Sequence, residues 1–185
     1  MHPRSPKILA LLAFAAAAWM VPSYGALSQP APAAAAHPIP QSLIFEHAET
    51  MERLSILAKR PGQVGVEARK ALEVFKRHAA REQEFILPPL TLLPLLADGK
   101  VTPDMAWAVA MADRVNAERE QIFQEHTEVT EVLNALVVAA TRAHDNDAKE
   151  FAEAAAGDSL NDVEILEPTV LLIGDYLRGK LPAGH

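Results

Sequence analysis

The strongest constraint on this chain lies in Phe75-Lys76-Arg77-His78-Ala79-Ala80-Arg81-Glu82-Gln83-Glu84-Phe85. At helical spacing the core-facing row runs Ala71, Phe75, His78, Glu82, Phe85, so an imidazole and a carboxylate occupy positions meant for apolar side chains. His78 and Glu82 are four residues apart and stack on one helix face about one turn from each other. Burying them without partners costs several kcal/mol, on the order of the whole stability of a small domain. A fold that contains this row must therefore supply a hydrogen-bonded ion pair or a metal ion.

The remaining rows place more such groups inside. Leu43, His47, Met51, Leu54 and Ala58 form one apolar stripe over residues 42–59, with His47 within it, and Pro61-Gly62 ends that helix. The His78 helix starts near Val66 and is stopped or bent by Pro88-Pro89. Leu90 to Leu96, broken by Pro94, reads as a cap on one end of the fold, irregular or short helical. Thr102-Pro103-Asp104 is a helix start, and the pattern then runs to about Arg142, long enough to require either a bend near Asn116 or an overhang packed on Leu90–Leu96. Its inner row is Val115, Arg119, Ile122, His126, Val129, Leu133, Leu136, Ala140. After a turn at 144–147, the last helical stretch has the stripe Phe151, Ala155, Asp158, Asp162, Ile165, Thr169, Leu172, Tyr176, with a kink expected at Gly157 or Pro168. Asp158 and Asp162 repeat the four-residue spacing of His78 and Glu82.

The fold class implied is all-α, an antiparallel up-down-up-down four-helix bundle over residues 41–182, because short loops favour antiparallel neighbours. His47, His78, Glu82, His126, Asp158 and Asp162 are the candidate metal ligands. Any one of them alone reads as a hydrogen-bonded core residue; all six on inner rows make a large desolvation burden without a cation. Glu84, Glu125 and Glu164 fall off these rows and read as solvated, as do His2, His37, His144 and His185.

Arg4 and Lys7 followed by the apolar run Ile8–Val21 and the small residues Ser23 to Gly25 have the layout of a secretory signal peptide over 1–25, or of an uncleaved N-terminal anchor. Residues 26–40, mostly Ala, Pro, Ser and Gln, read as a linker. The domain is thus expected to be exported, periplasmic or secreted. Taking Arg4 and Lys7 from the 17 basic residues, against 24 acidic ones, leaves a net charge of −9, which argues against nucleic acid or an anionic membrane as partner of the mature domain. The chain has no Cys, so a metal site must use nitrogen and oxygen, a set suited to iron, manganese or zinc.

The spacing His47, His78-x3-Glu82, His126 and a paired position in the last helix resembles the hemerythrin-like (HHE cation-binding) domains. The segments that carry the likeness are 81–90, Gln124-Glu125-His126, 162–168 and 172–177, within a span of 42–181. The resemblance implies a four-helix bundle around a non-haem di-iron centre with bridging carboxylates, and dioxygen, peroxide or a metal ion as the small ligand. The chain departs from the pattern in the last helix, where Asp158 and Asp162 replace a His-containing pair, and in the third, where Ile122 stands one turn before His126. Such a carboxylate-rich set favours Fe(III) and accepts Mn(II), which fits iron oxidation or peroxide chemistry better than reversible oxygen carriage. The alternative is a metal-free bundle that binds an envelope protein through Leu90–Leu96.

Overall fold

The computed structural model describes residues 37–182, which are almost wholly helical, with no strand among them. The expected signal peptide over 1–25, and the linker as far as residue 36, lie outside the described residues. No helix among the described residues is long and apolar enough to cross a membrane.

The first helix, α1 (Gln41–Leu57), buries His47, Leu54 and Leu57. Gly62 then takes φ +80°, a backbone region that a side chain disfavours, and turns the chain into α2 (Gly62–Arg81). A π-helical turn, Glu82–Ile86, continues α2, and a 3-10 turn, Pro88–Leu92, leads into the short α3 (Leu93–Ala97). The expected long third helix is divided. A 3-10 turn at Pro103–Ala106 starts α4 (Trp107–Ala117), the backbone breaks at Glu118, and α5 (Arg119–Arg142) follows. Arg81 and Arg114 both bind the Glu118 carboxylate, Arg114 at 2.8 Å, so the break is held from two sides. The guanidinium of Arg114 also lies 3.9 Å from the centre of the Phe85 ring.

Asp145 caps α6 (Asn146–Asn161) by accepting from the Ala148 N–H at 3.2 Å. A second π-helical turn, Asp162–Leu166, joins α6 to α7 (Glu167–Lys180). Each π turn shortly precedes a proline. Pro88 and Pro168 have no N–H to give, and their rings crowd the carbonyl four residues back. Widening the helix accommodates this: the N–H of Leu87 bonds to the carbonyl of Glu82 at 2.9 Å, five residues back, and that of Glu167 to the carbonyl of Asp162.

Packing follows two sets of contacts. Helix α5 packs against both α2 and α6, α1 packs against α2, and α4 pairs with α7. The α4–α7 approach is close enough that a Cβ on Gly174 would stand 2.3 Å from that of Ala112. The buried apolar residues form two clusters. One contains Leu54, Phe75, Val129, Leu133 and the alanines of α6; the other contains Phe85, Ile86, Val115, Ile122, Val170 and Leu177. Phe75 and Phe85 flank His78 and Glu82 in sequence and belong to different clusters, as do Ile122 and Val129 around His126. His78, Glu82 and His126 therefore form a layer between two apolar clusters.

Two expectations, the last-helix stripe and a solvated His37, are corrected here, and two others are made sharper. The last-helix stripe is displaced: Ile165, Leu172 and Tyr176 are exposed, and Val170, Ile173 and Leu177 are buried instead. The extra residue of the π turn advances the register by one, which spacing alone does not reveal. Gly157 does not interrupt α6. His37 is half-buried and stacks on Trp107 at 3.8 Å, so the chain is already anchored at the end of the expected linker. In the Leu90–Leu96 segment, Leu90 and Leu92 join the core, leaving Leu93 and Leu95 exposed.

Candidate metal centre

Three helices and two π turns bring the polar groups together. His47 comes from α1, His78 from α2, Glu82 from the first residue of the π turn, His126 from the second turn of α5, and Asp162 from the start of the second π turn. His47, His78, Glu82 and His126 are buried, Glu82 to 1% exposure, and Asp162 is half-buried. Glu82 is the hub. Its Oε2 lies 3.1 Å from Nε2 of His47 and 3.4 Å from Nε2 of His78, and its Oε1 lies 3.4 Å from Nε2 of His126. One donor atom each from His78, Glu82, His126 and Asp162 lie within 4.8 Å of one another.

Electrostatics follow from this crowding. Burial pushes the Glu82 carboxyl up, but the close approach of the His126 and His47 rings and the charge of His78 outweigh it and hold the group at about 2. Burial lowers His78 to about 4, against the pull of Glu82, so its ring is neutral at physiological pH. Burial also raises Asp162 to about 7, reinforced by the negative charge of Glu82. His47 and His126 are each opposed by burial, yet Glu82 raises both.

The donor set passes a chemical test for a cation. Buried Oε1 and Oε2 of Glu82, Nε2 of His126 and Nδ1 of His47 have no hydrogen-bond partner, although buried polar atoms almost always find one. His126 shows why. Its Nδ1 lies 2.9 Å from the carbonyl of Ile122, a contact that makes Nδ1 the protonated nitrogen and leaves a lone pair on Nε2. That lone pair then faces the oxygen of Glu82. Only a proton or a positive ion between them makes this arrangement favourable, and the backbone carbonyl orients the ring as an outer partner of a metal ligand does.

Asp158 does not join the cluster. It is exposed and lines a groove of about 420 Å³ with Glu46, Glu49 and Glu150. The buried row of α6 passes through Ala155 and Ser159, and Asp158 lies one position off it. Glu167 was not anticipated. Its carboxylate is buried, with Oε1 lying 3.6 Å from Nδ1 of His126 and lacking a hydrogen-bond partner. The π turn carries it inward, so its only sequence signal is the proline that follows. Glu84 and Glu164 are exposed, and Glu125 pairs with Arg81 at 2.8 Å.

Comparison with protein-family models, curated proteins and solved structures finds no match.

Proposed function

We propose that this chain is an exported, hemerythrin-like four-helix metal protein whose buried cluster takes a first-row metal ion, iron first and manganese or zinc next, for dioxygen, peroxide or iron handling. The observation that carries this reading is the convergence of buried nitrogen and oxygen donors, several without any hydrogen-bond partner, on one point between two apolar clusters. Imidazole and carboxylate without thiolate select these metals over copper(I).

When bound, such an ion supplies electron transfer or Lewis acidity to a small oxygen ligand. The residues do the rest. His78 presents a neutral ring, Glu82 presents a carboxylate that stays ionised, and Asp162 supplies a second carboxyl. The carbonyl of Ile122 holds the ring of His126 in one orientation. Phe75 on one side and Phe85 with Ile122 on the other belong to the apolar clusters that flank the layer. A pair of irons bridged by carboxylates is the occupancy that the resemblance implies.

Metal analysis and ultraviolet–visible absorption of the purified chain, beside His78→Ala, test the reading. Bound iron with charge-transfer absorption that the variant loses supports it; a chain that takes up no divalent metal overturns it. The second reading, a metal-free module that binds an envelope protein, draws on the exposed Leu93 and Leu95. It predicts a fold whose melting does not respond to metal.

A further inference from the structure

A pocket of about 250 Å³ opens between α5 and the stretch where α6 passes into the second π turn, and His126 is the most deeply buried residue of its lining. Phe123 and Thr127 come from α5, Leu160 from the end of α6, and Val163 from the π turn. Phe123 and Leu160 keep 56% and 53% of their surface exposed. A single exposed apolar side chain is ordinary, but these two line one opening that reaches a candidate metal ligand. The hydroxyl of Thr127 is already spent on the carbonyl of Phe123 at 2.9 Å.

Size and charge narrow what such a pocket takes. An apolar cavity of about 150 Å³ already admits benzene or xenon, so this one exceeds the needs of a diatomic molecule. The charged residues of the lining, Glu131 and Glu164, are both acidic and exposed, and no Lys or Arg accompanies them. An anion is therefore disfavoured twice, by repulsion from the two carboxylates and by loss of its own water on entering apolar walls.

We propose that this pocket binds an uncharged organic molecule of about one ring, and that it is the substrate side of the buried centre. The proposal deepens the metal reading above and rests on it for the role of His126. A molecule in the pocket lies against the same imidazole whose Nε2 faces Glu82. Phe123 and Val163 also wall a second cleft, of about 510 Å³, with Glu167, Arg119 and Glu120. Changing either would alter both openings, whereas Leu160 lines the first and not the second.

The test uses the full chain with toluene as the probe, followed by nuclear magnetic resonance of the Val163 methyls and the His126 ring. Saturable shifts are expected, with a dissociation constant on the order of 1 mM, and benzoate should bind about tenfold more weakly or worse. Leu160→Trp, at an exposed position, should crowd the opening and weaken toluene by about tenfold with the melting midpoint unchanged. In the Mn(II)-loaded chain the protons of bound toluene should relax faster, and Leu160→Trp should abolish the effect. Absence of saturable shifts, benzoate binding as tightly as toluene, or bound toluene that does not sense Mn(II) would each overturn the proposal. Self-association that Leu160→Arg removes would assign the opening to a second copy of the chain and overturn it too. A chain that holds toluene but takes up no metal strikes the metal reading, and the substrate role with it. A chain that takes up Mn(II) but not toluene strikes this proposal alone.

Discussion

Nε2 of His126 and Oε1 of Glu82 face each other at 3.4 Å, and neither makes a hydrogen bond. The ring cannot turn away, because its other nitrogen is held by the carbonyl of Ile122 at 2.9 Å. Two electron-rich atoms fixed in opposition make the cluster depend on what lies between them. Ligand present at a hundred times its dissociation constant stabilises a fold by about 2.7 kcal/mol, or roughly 8 °C of melting midpoint for a domain of this size. The wild-type chain should therefore lose about 8 °C on chelation, and Glu82→Gln should show no response. Differential scanning calorimetry with and without chelator checks both.

Asp162 should cost the metal-free fold stability as pH rises. Its folded value is raised from 3.8 to about 7, so the fold prefers the neutral acid. The stability this contributes is fully present below about pH 4 and is lost as pH rises through about 7. In chelator, Asp162→Asn should match wild type near pH 4 and exceed it above pH 7, by on the order of 3 kcal/mol. The same variant should bind metal more weakly. Urea unfolding at both pH values, with metal titrations alongside, gives the comparison.

His78 carries the opposite sign. Its folded value is lowered from 6.5 to about 4, so the fold prefers the neutral ring. That stability is present above pH 6.5 and is lost as pH falls toward 4. His47 and His126, raised by Glu82, contribute in the other direction, with stability present below 6.5 and lost as pH rises through their raised values. Replacing His78 with Gln should therefore remove a slope of about 1.4 kcal/mol per pH unit, one proton's worth, between 6.5 and 4. Stability against pH for the two metal-free proteins measures it.

Gly174 should tolerate no side chain. A Cβ there would lie 2.3 Å from the Cβ of Ala112, so α4 and α7 would have to separate. Overpacking of this kind costs about 1–3 kcal/mol. Gly174→Ala should lower the melting midpoint, and Ala112→Gly added to it should recover part of the loss despite the weaker helix former. A double-mutant cycle isolates that coupling.

The sequence made much of this site readable because helical spacing isolates polar residues among apolar ones. His47, His78, Glu82 and His126 each have buried apolar neighbours on the same row, such as Leu54, Phe75, Phe85 and Val129. Asp158 misled because steps of three and four from Ala155 both continue a helical row. Step four leads to the buried Ser159, and step three leads outward. Beyond Asp162 the row slips by one, from Thr169, Leu172 and Tyr176 to Val170, Ile173 and Leu177. Periodicity assumes 3.6 residues per turn, and a widened turn violates that assumption without a distinctive residue of its own. Glu167 was hidden for the same reason.

Those two widened turns also make the chain sensitive to its own length. A residue added to a helix rotates everything beyond it by about 100°. The insertion at Glu82–Ile86 separates two orientations, so that His78 and Glu82 address the polar layer while Phe85, Ile86 and Leu87 enter the far apolar cluster. The turn at Asp162–Leu166 divides α6 from α7 in the same way. Removing Gln83 or Val163 would delete no donor and no core side chain. It would nonetheless dial one half of the molecule out of phase with the other, so single-residue deletions here are far more damaging than substitutions at the same positions.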